Sequence, residues 1–124
     1  MTPGRNGSTL SNPSKSKGTS YENWVLRRLV RVYGEGVSRS AANTESNDFH
    51  GVPWPMECKK RKTLAVPDWV RRIRKVAPSF GWVIWISDGD NRRANSFGEI
   101  AICDANFMEL LLATYEDKVQ GAEH

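Results

Sequence analysis

Apolar residues recur along this chain with two different periods, and the switches between them mark its elements. Leu26, Leu29, Val30 and Tyr33 are spaced as one face of a helix, and Gly34 and Gly36 end the pattern. Thr19-Ser20-Tyr21-Glu22 has the form of a capping box, so this helix is predicted from about Ser20 to Tyr33. Val37–Ser40 predicts a short strand, and the polar stretch from Ala41 to Asn47 a loop. Around Asp48–Gly51 and Trp54–Lys60 the alternation has a period of two and predicts a hairpin across the turn Gly51-Val52-Pro53. Pro67 suits the first turn of a second helix, with Trp69, Val70, Ile73 and Val76 or Ala77 as its inward stripe. Gly81–Ile86 predicts a strand buried on both faces, Ser87–Asn91 a turn, and Glu99–Cys103 a last strand. Asp104 then caps a C-terminal helix, with Phe107, Leu110, Leu111 and Tyr115 as candidate core contacts. The order α-β-β-β-α-β-β-α predicts an α/β domain, a mixed sheet flanked by helices.

Residues 1–18 are nearly all small, polar or cationic and predict a flexible basic tail, leaving 19–124 as a single domain. A chain of 124 residues with 39% hydrophobic residues can bury one modest core. No apolar run is long enough to span a membrane, and the N-terminus lacks the apolar core of a signal peptide. Cys58 and Cys103 match no zinc spacing and lie in apolar runs, which predicts buried, reduced thiols and a cytoplasmic protein.

The formal charge is +4, a mild bias toward a polyanionic partner. Its distribution is more pointed. Lys59, Lys60, Arg61, Lys62, Arg71, Arg72, Arg74 and Lys75 make up eight of the 18 basic residues, and only Asp68 opposes them there. Such a run reads either as a solvated face or as a phosphate-binding one.

Candidate chemistry sits just before this run. On a strand Glu57 and Lys59 share one face, and a return across the turn brings Asp48 toward Glu57. Two carboxylates and a lysine can hold a hard divalent cation and orient a water, with the Cys58 carbonyl between them completing the shell. The competing reading is a surface Glu–Lys pair on an exposed hairpin. Glu22 either closes the capping box or reaches the same site from the first helix. His50 shares the face of Asp48, and reads as a surface histidine or a phosphate contact. Of the five tryptophans, Trp24, Trp69, Trp82 and Trp85 fit core positions, and Trp54, near the turn, is the candidate for DNA contact.

Lys17-Gly18-Thr19-Ser20-Tyr21-Glu22, Arg39-Ser40-Ala41-Ala42, Asp48 and Glu57-Cys58-Lys59 together resemble the archaeal Holliday-junction resolvases of the PD-(D/E)XK nuclease superfamily and their small phage-type relatives. The resemblance covers about residues 17–118, with Asn47 standing where the superfamily name has proline. It implies a restriction-endonuclease-like fold and a metal-dependent endonuclease using Mg²⁺, with Mn²⁺ as a substitute. Asp48, Glu57, the Cys58 carbonyl and Glu22 would hold the metal or its water, Lys59 would orient the attacking water, and Ser40 would contact the metal shell or the scissile phosphate. Arg39, Lys60, Arg61, Lys62, Arg71, Arg72 and Lys75 would bind branched DNA through its phosphates. Symmetric cutting of two strands implies a homodimer. The same active site serves flaps, nicks and plain duplex, and a catalytically silent DNA-binding module is the reading from another class.

Overall fold

A computed structural model describes residues 13–40, 46–89 and 96–122. The greater part of the N-terminal tail, residues 41–45, the cationic part of the 87–98 loop and His124 lie outside the described residues. The elements follow the predicted order: α1 (Pro13–Tyr33), β1 (Ser38–Arg39), β2 (Phe49–His50), β3 (Met56–Lys60), α2 (Val66–Val76), β4 (Val83–Ser87), β5 (Glu99–Cys103) and α3 (Ala105–Ala122). Among the described residues the fold is mixed α/β, with three helices, a two-stranded sheet β1-β2 and a three-stranded sheet in the order β3-β4-β5. β3 and β4 are parallel, with Glu57 opposite Ile84 and Lys59 opposite Ile86, and β5 runs antiparallel to β4. Helix α2 lies in the crossover that a parallel pair requires.

The period of two in β3 and β4 divides the core. On one face Met56 and Val83 pack with Tyr21, Val25 and Leu29 of α1, joined by Cys58, Trp85 and Cys103. On the other, Ile84 and Ile86 pack with Trp69, Ile73 and Trp82. β4 is therefore buried on both faces, as its unbroken apolar run predicts. Each fully buried side chain of this size contributes about 1.5–3 kcal/mol.

Several expectations are corrected. Helix α1 begins at Pro13, not Ser20, so Thr19 lies within the helix and cannot be its cap. Proline suits a first turn, and Lys15 and Lys17 favour the helix among the poorer formers Ser14, Ser16, Gly18 and Thr19. Its buried stripe is Tyr21–Val25–Leu29, while Tyr33 is exposed. The hairpin is not a ladder between β2 and β3. β2 pairs with β1, placing Ser38 opposite His50, and β3 pairs with β4. Pro53 and Pro55 have no N–H to give, and the return is fastened by the Asp48 N–H donating to the Met56 carbonyl at 2.7 Å.

Asp104 does cap α3, its Oδ1 accepting the Asn106 N–H at 2.8 Å. Of the expected core contacts only Phe107 is buried, in the same cluster as Tyr21, Val25 and Leu29; Leu110, Leu111 and Tyr115 are exposed. Trp24 is 47% exposed rather than core. Trp54, in contrast, packs edge-on against Phe107 with ring centroids 4.8 Å apart. It also lies on Gly81, where a Cβ would meet its ring at 1.9 Å. Among the described residues no helix is long and apolar enough to cross a membrane.

Candidate metal-binding active site

Five residues from four segments meet at the outer edge of β3. Glu22 comes from α1, Ser40 follows β1, Asp48 precedes β2, and Glu57 and Lys59 lie on β3. Ser40 is set beside Asp48 because its N–H donates to the Asp48 carbonyl at 2.8 Å. The Asp48 carboxylate turns toward β3, where Oδ2 accepts the Cys58 N–H at 2.7 Å. In a strand the N–H and C=O of one residue point to the same side. The Cys58 carbonyl therefore lies on the same edge as Asp48, away from β4.

Glu57 and Lys59 form an ion pair of 2.8 Å, each side chain 11% exposed. The Lys59 ammonium also stands 5.6 Å from the centroid of the Trp69 ring, a cation–π contact. These residues are thus a buried pair at the rim of the second core, which removes the reading of a surface Glu–Lys pair. Glu57 Oε1 takes the ammonium, but Oε2 is buried without a hydrogen-bond partner. So is the Ser40 hydroxyl. Buried polar atoms without partners are rare in folded proteins.

Burial raises the Asp48 carboxyl from its ordinary value of 3.8 to about 6. The Cys58 N–H and Lys59 pull it back, and the negative charges of Glu22 and Glu57 push it further up. Three carboxylates thus share one electrostatic neighbourhood. Burial likewise pushes the Cys58 thiol well up, so it is a thiol and offers its carbonyl rather than a thiolate.

Glu22 Oε1 accepts from Arg39 at 3.2 Å, and Arg39 also donates to Asn23 at 3.3 Å. Among the described residues no three His, Cys, Asp or Glu side chains form a ligand set by themselves. A cation here would rest on Asp48, Glu57 and the Cys58 carbonyl, with water for the remainder. That donor set fits Mg²⁺, which is commonly held through one or two carboxylates and keeps several waters. The partnerless Glu57 Oε2 fits it as well.

The basic residues do not form one patch. Arg39 is committed to Glu22, and Arg71 pairs with Asp68. Lys60 is half-buried in a cleft of about 300 Å³ with Trp24 and Glu99, its stem against Gly89. Arg61, Lys62, Arg72, Arg74 and Lys75 are exposed, and so is His50.

Sequence reasoning missed the network around Glu99. It accepts from the Tyr21 hydroxyl at 2.8 Å and from Arg28 at 2.5 Å. Arg28 in turn lies against Trp24 and Trp85, at 5.5 and 5.8 Å from their centroids. This network clamps α1 to β5, and residues so far apart in the chain carry no local signal of it. Comparison of the chain with protein-family models, characterised proteins and solved structures gives no match.

Proposed function

We infer that the chain is a Mg²⁺-dependent DNA endonuclease of the PD-(D/E)XK type, built on a restriction-endonuclease-like core and directed at branched DNA, the four-way junction first. The observation that supports this most is the buried Glu57 carboxylate. One oxygen is paired to Lys59, the other has no partner, and Asp48 and the Cys58 carbonyl stand at the same strand edge. A surface pair has no use for such an arrangement, and a cation site does.

Asp48, Glu57 and the Cys58 carbonyl would hold the metal. When bound it would polarise the scissile phosphate and lower the pKa of a coordinated water. Lys59, held between Glu57 and Trp69, would donate to that water and to the charge developing on phosphate oxygen. Glu22, held by Arg39, adds negative charge beside Asp48 and favours a cation there. The Ser40 hydroxyl has a proton to give to a phosphate oxygen or a metal-bound water. The exposed Arg61, Lys62, Arg72 and Lys75 supply contacts to phosphate that give affinity without reading sequence.

The test is cleavage of a labelled four-way junction, a flap and a linear duplex, each with Mg²⁺ or EDTA, beside Asp48→Asn. Paired nicks in the junction alone, lost in EDTA and in the variant, are the expected result. Equal cutting of all three would discard the junction preference. Binding without cutting would overturn the assignment of an enzyme.

A further inference from the structure

Trp24 and Lys60 face one cleft that the carboxylate cluster does not use. Its volume is about 300 Å³, and Ser20 and Trp24 of α1, Lys60 at the end of β3, Ser87 of β4 and Glu99 of β5 line it. Lys60 is there because a strand alternates its faces. Cys58 packs toward α1, so Lys60, two residues on, turns the same way, while Lys59 turns to Trp69. Trp24 is 47% exposed. Arg27 and Arg28, at 5.6 and 5.5 Å from its centroid, come from the turn of α1 that follows it, whereas the cleft extends toward Ser20, one turn before. The one carboxylate in the cleft is already matched: Glu99 accepts from Tyr21 on one oxygen and from Arg28 on the other. Among the described residues Lys60 has no ion pair.

We propose that this cleft holds one unpaired nucleobase of a bound DNA strand, stacked on Trp24, with the phosphate it carries on Lys60. An aromatic face accepts any base, and a cation beside it suits the backbone. The exposed indole, the guanidiniums against it and the lysine without a counter-charge are satisfied together by one ligand, planar at one end and anionic at the other. The volume lies at the lower end of the range for small-ligand clefts, room for a base and its sugar but not for a duplex.

The same two elements carry the cleft and the carboxylates. Helix α1 gives Glu22 to the cluster and Trp24 to the cleft, and β3 gives Lys59 to one and Lys60 to the other. A consequence rests on the nuclease reading: a strand cut at Asp48 and Glu57 sets a neighbouring base in the cleft. Unstacking costs least for a base that is already unpaired, as at a branch or a bulge. The cleft thus favours interrupted DNA over continuous duplex without reading sequence.

The experiment is fluorescence anisotropy of the full chain in EDTA with two labelled duplexes, one carrying a single bulged thymidine and the other an abasic nucleotide at the same place. The wild type is expected to bind the thymidine probe roughly tenfold more tightly, the effect of one stacked base. Trp24→Ala is expected to erase that preference. A wild type that binds both probes equally overturns the proposal, and so does a Trp24→Ala protein that keeps the preference. If Trp24→Ala loses its fold, Trp24→Leu decides, since it keeps apolar bulk beside Arg28 but has no aromatic face: loss of the preference upholds the proposal and its retention overturns it. Lys60→Gln is expected to weaken both probes alike and to reduce the slope of log affinity against log salt by about 0.9; an unchanged slope overturns the part given to Lys60. Displacement of the thymidine probe by an equal concentration of thymidine monophosphate would make this a mononucleotide site and overturn the assignment to a strand. EDTA keeps binding apart from cleavage. A preference that needs Trp24, in a protein that cuts nothing with Mg²⁺, upholds the cleft and sinks the nuclease; cutting without the preference does the reverse.

Discussion

The Asp48 carboxylate accepts the main-chain N–H of Cys58 at 2.7 Å, and so fastens the candidate metal site to the edge of β3. The same residue is a ligand candidate and a strut. Asp48→Asn keeps an oxygen for the Cys58 N–H and is expected to abolish cleavage while leaving the fold intact. Asp48→Ala leaves that N–H without a partner and is expected to lose a further ~1–3 kcal/mol in urea unfolding. Equal stabilities for the two variants would remove the strut from the account.

Asp48 also makes stability depend on pH. Its carboxyl is raised from 3.8 to about 6, so between these values the folded protein holds a proton that the unfolded chain has released. The stabilising contribution is complete below about 3.8 and is lost as pH rises through about 6. At about 1.4 kcal/mol per pKa unit the full effect is on the order of 2–3 kcal/mol. Asp48→Asn is therefore expected to be more stable than wild type at about pH 8, with the advantage shrinking toward pH 4. Urea titrations across this range, without divalent cations, check it. Added Mg²⁺ is expected to stabilise the wild type alone, by binding only the folded form.

Glu57 and Lys59 separate chemistry from stability. Glu57→Gln is expected to stop cleavage, keep DNA binding and destabilise the fold, because Lys59 is then buried without its counter-charge. Breaking a buried pair costs about 3–5 kcal/mol, and the exposure that remains here places the loss at the lower end. Lys59→Met keeps the stem on Trp69 and is expected to lose cleavage but still take up Mg²⁺ in calorimetry. Loss of metal uptake in Lys59→Met would contradict the assigned role.

Arg71 and Arg72 are neighbours in sequence but differ in commitment, since Arg71 already pairs with Asp68. Arg72→Ala is expected to reduce the slope of log affinity against log salt by about 0.9, the value for one phosphate contact. Arg71→Ala is expected to change it less. The reverse order, in fluorescence anisotropy on duplex DNA, would place the phosphates on the other side of α2.

Gly81→Ala tests the packing beneath the site. The new Cβ would meet the Trp54 ring at 1.9 Å. Trp54 lies on the segment that leads into β3, so the ring and the strand entrance must shift together. A loss of about 1–3 kcal/mol is expected, as for other overpacked cores. Calorimetric melting of the variant beside wild type measures it.

What the sequence could and could not reveal follows from how local each signal is. The element order was legible because each element carries its own period and its own stop, such as Gly34 after α1 and Asp104 before α3. The clustering of Asp48, Glu57 and Lys59 was legible because only a short turn separates them. The start of α1 was misread because Thr19 and Glu22 have the spacing of a capping box in any context. The roles of Trp24 and Trp54 were exchanged for a different reason. Trp54 is near a turn in sequence, yet its ring is covered by Phe107, which arrives from more than fifty residues away. The leucines of α3 look like core residues by composition. Only the fold reveals that Phe107 reaches the core while Leu110, Leu111 and Leu112 stay exposed.

The parallel pairing of β3 with β4 has a kinetic meaning. Glu57 and Lys59 lie opposite Ile84 and Ile86 in the sheet, on a strand that the chain reaches after the whole of α2. Closing that crossover costs chain entropy before any pairing repays it. The return that carries Asp48 is short and can close early; the strand it must meet is fixed late. In refolding, the Cys58 amide should thus gain its exchange protection together with β4, not with the turn at Gly51. The site would be among the last parts of the molecule to become competent, and an unfinished chain would carry the carboxylates without the geometry that makes them useful.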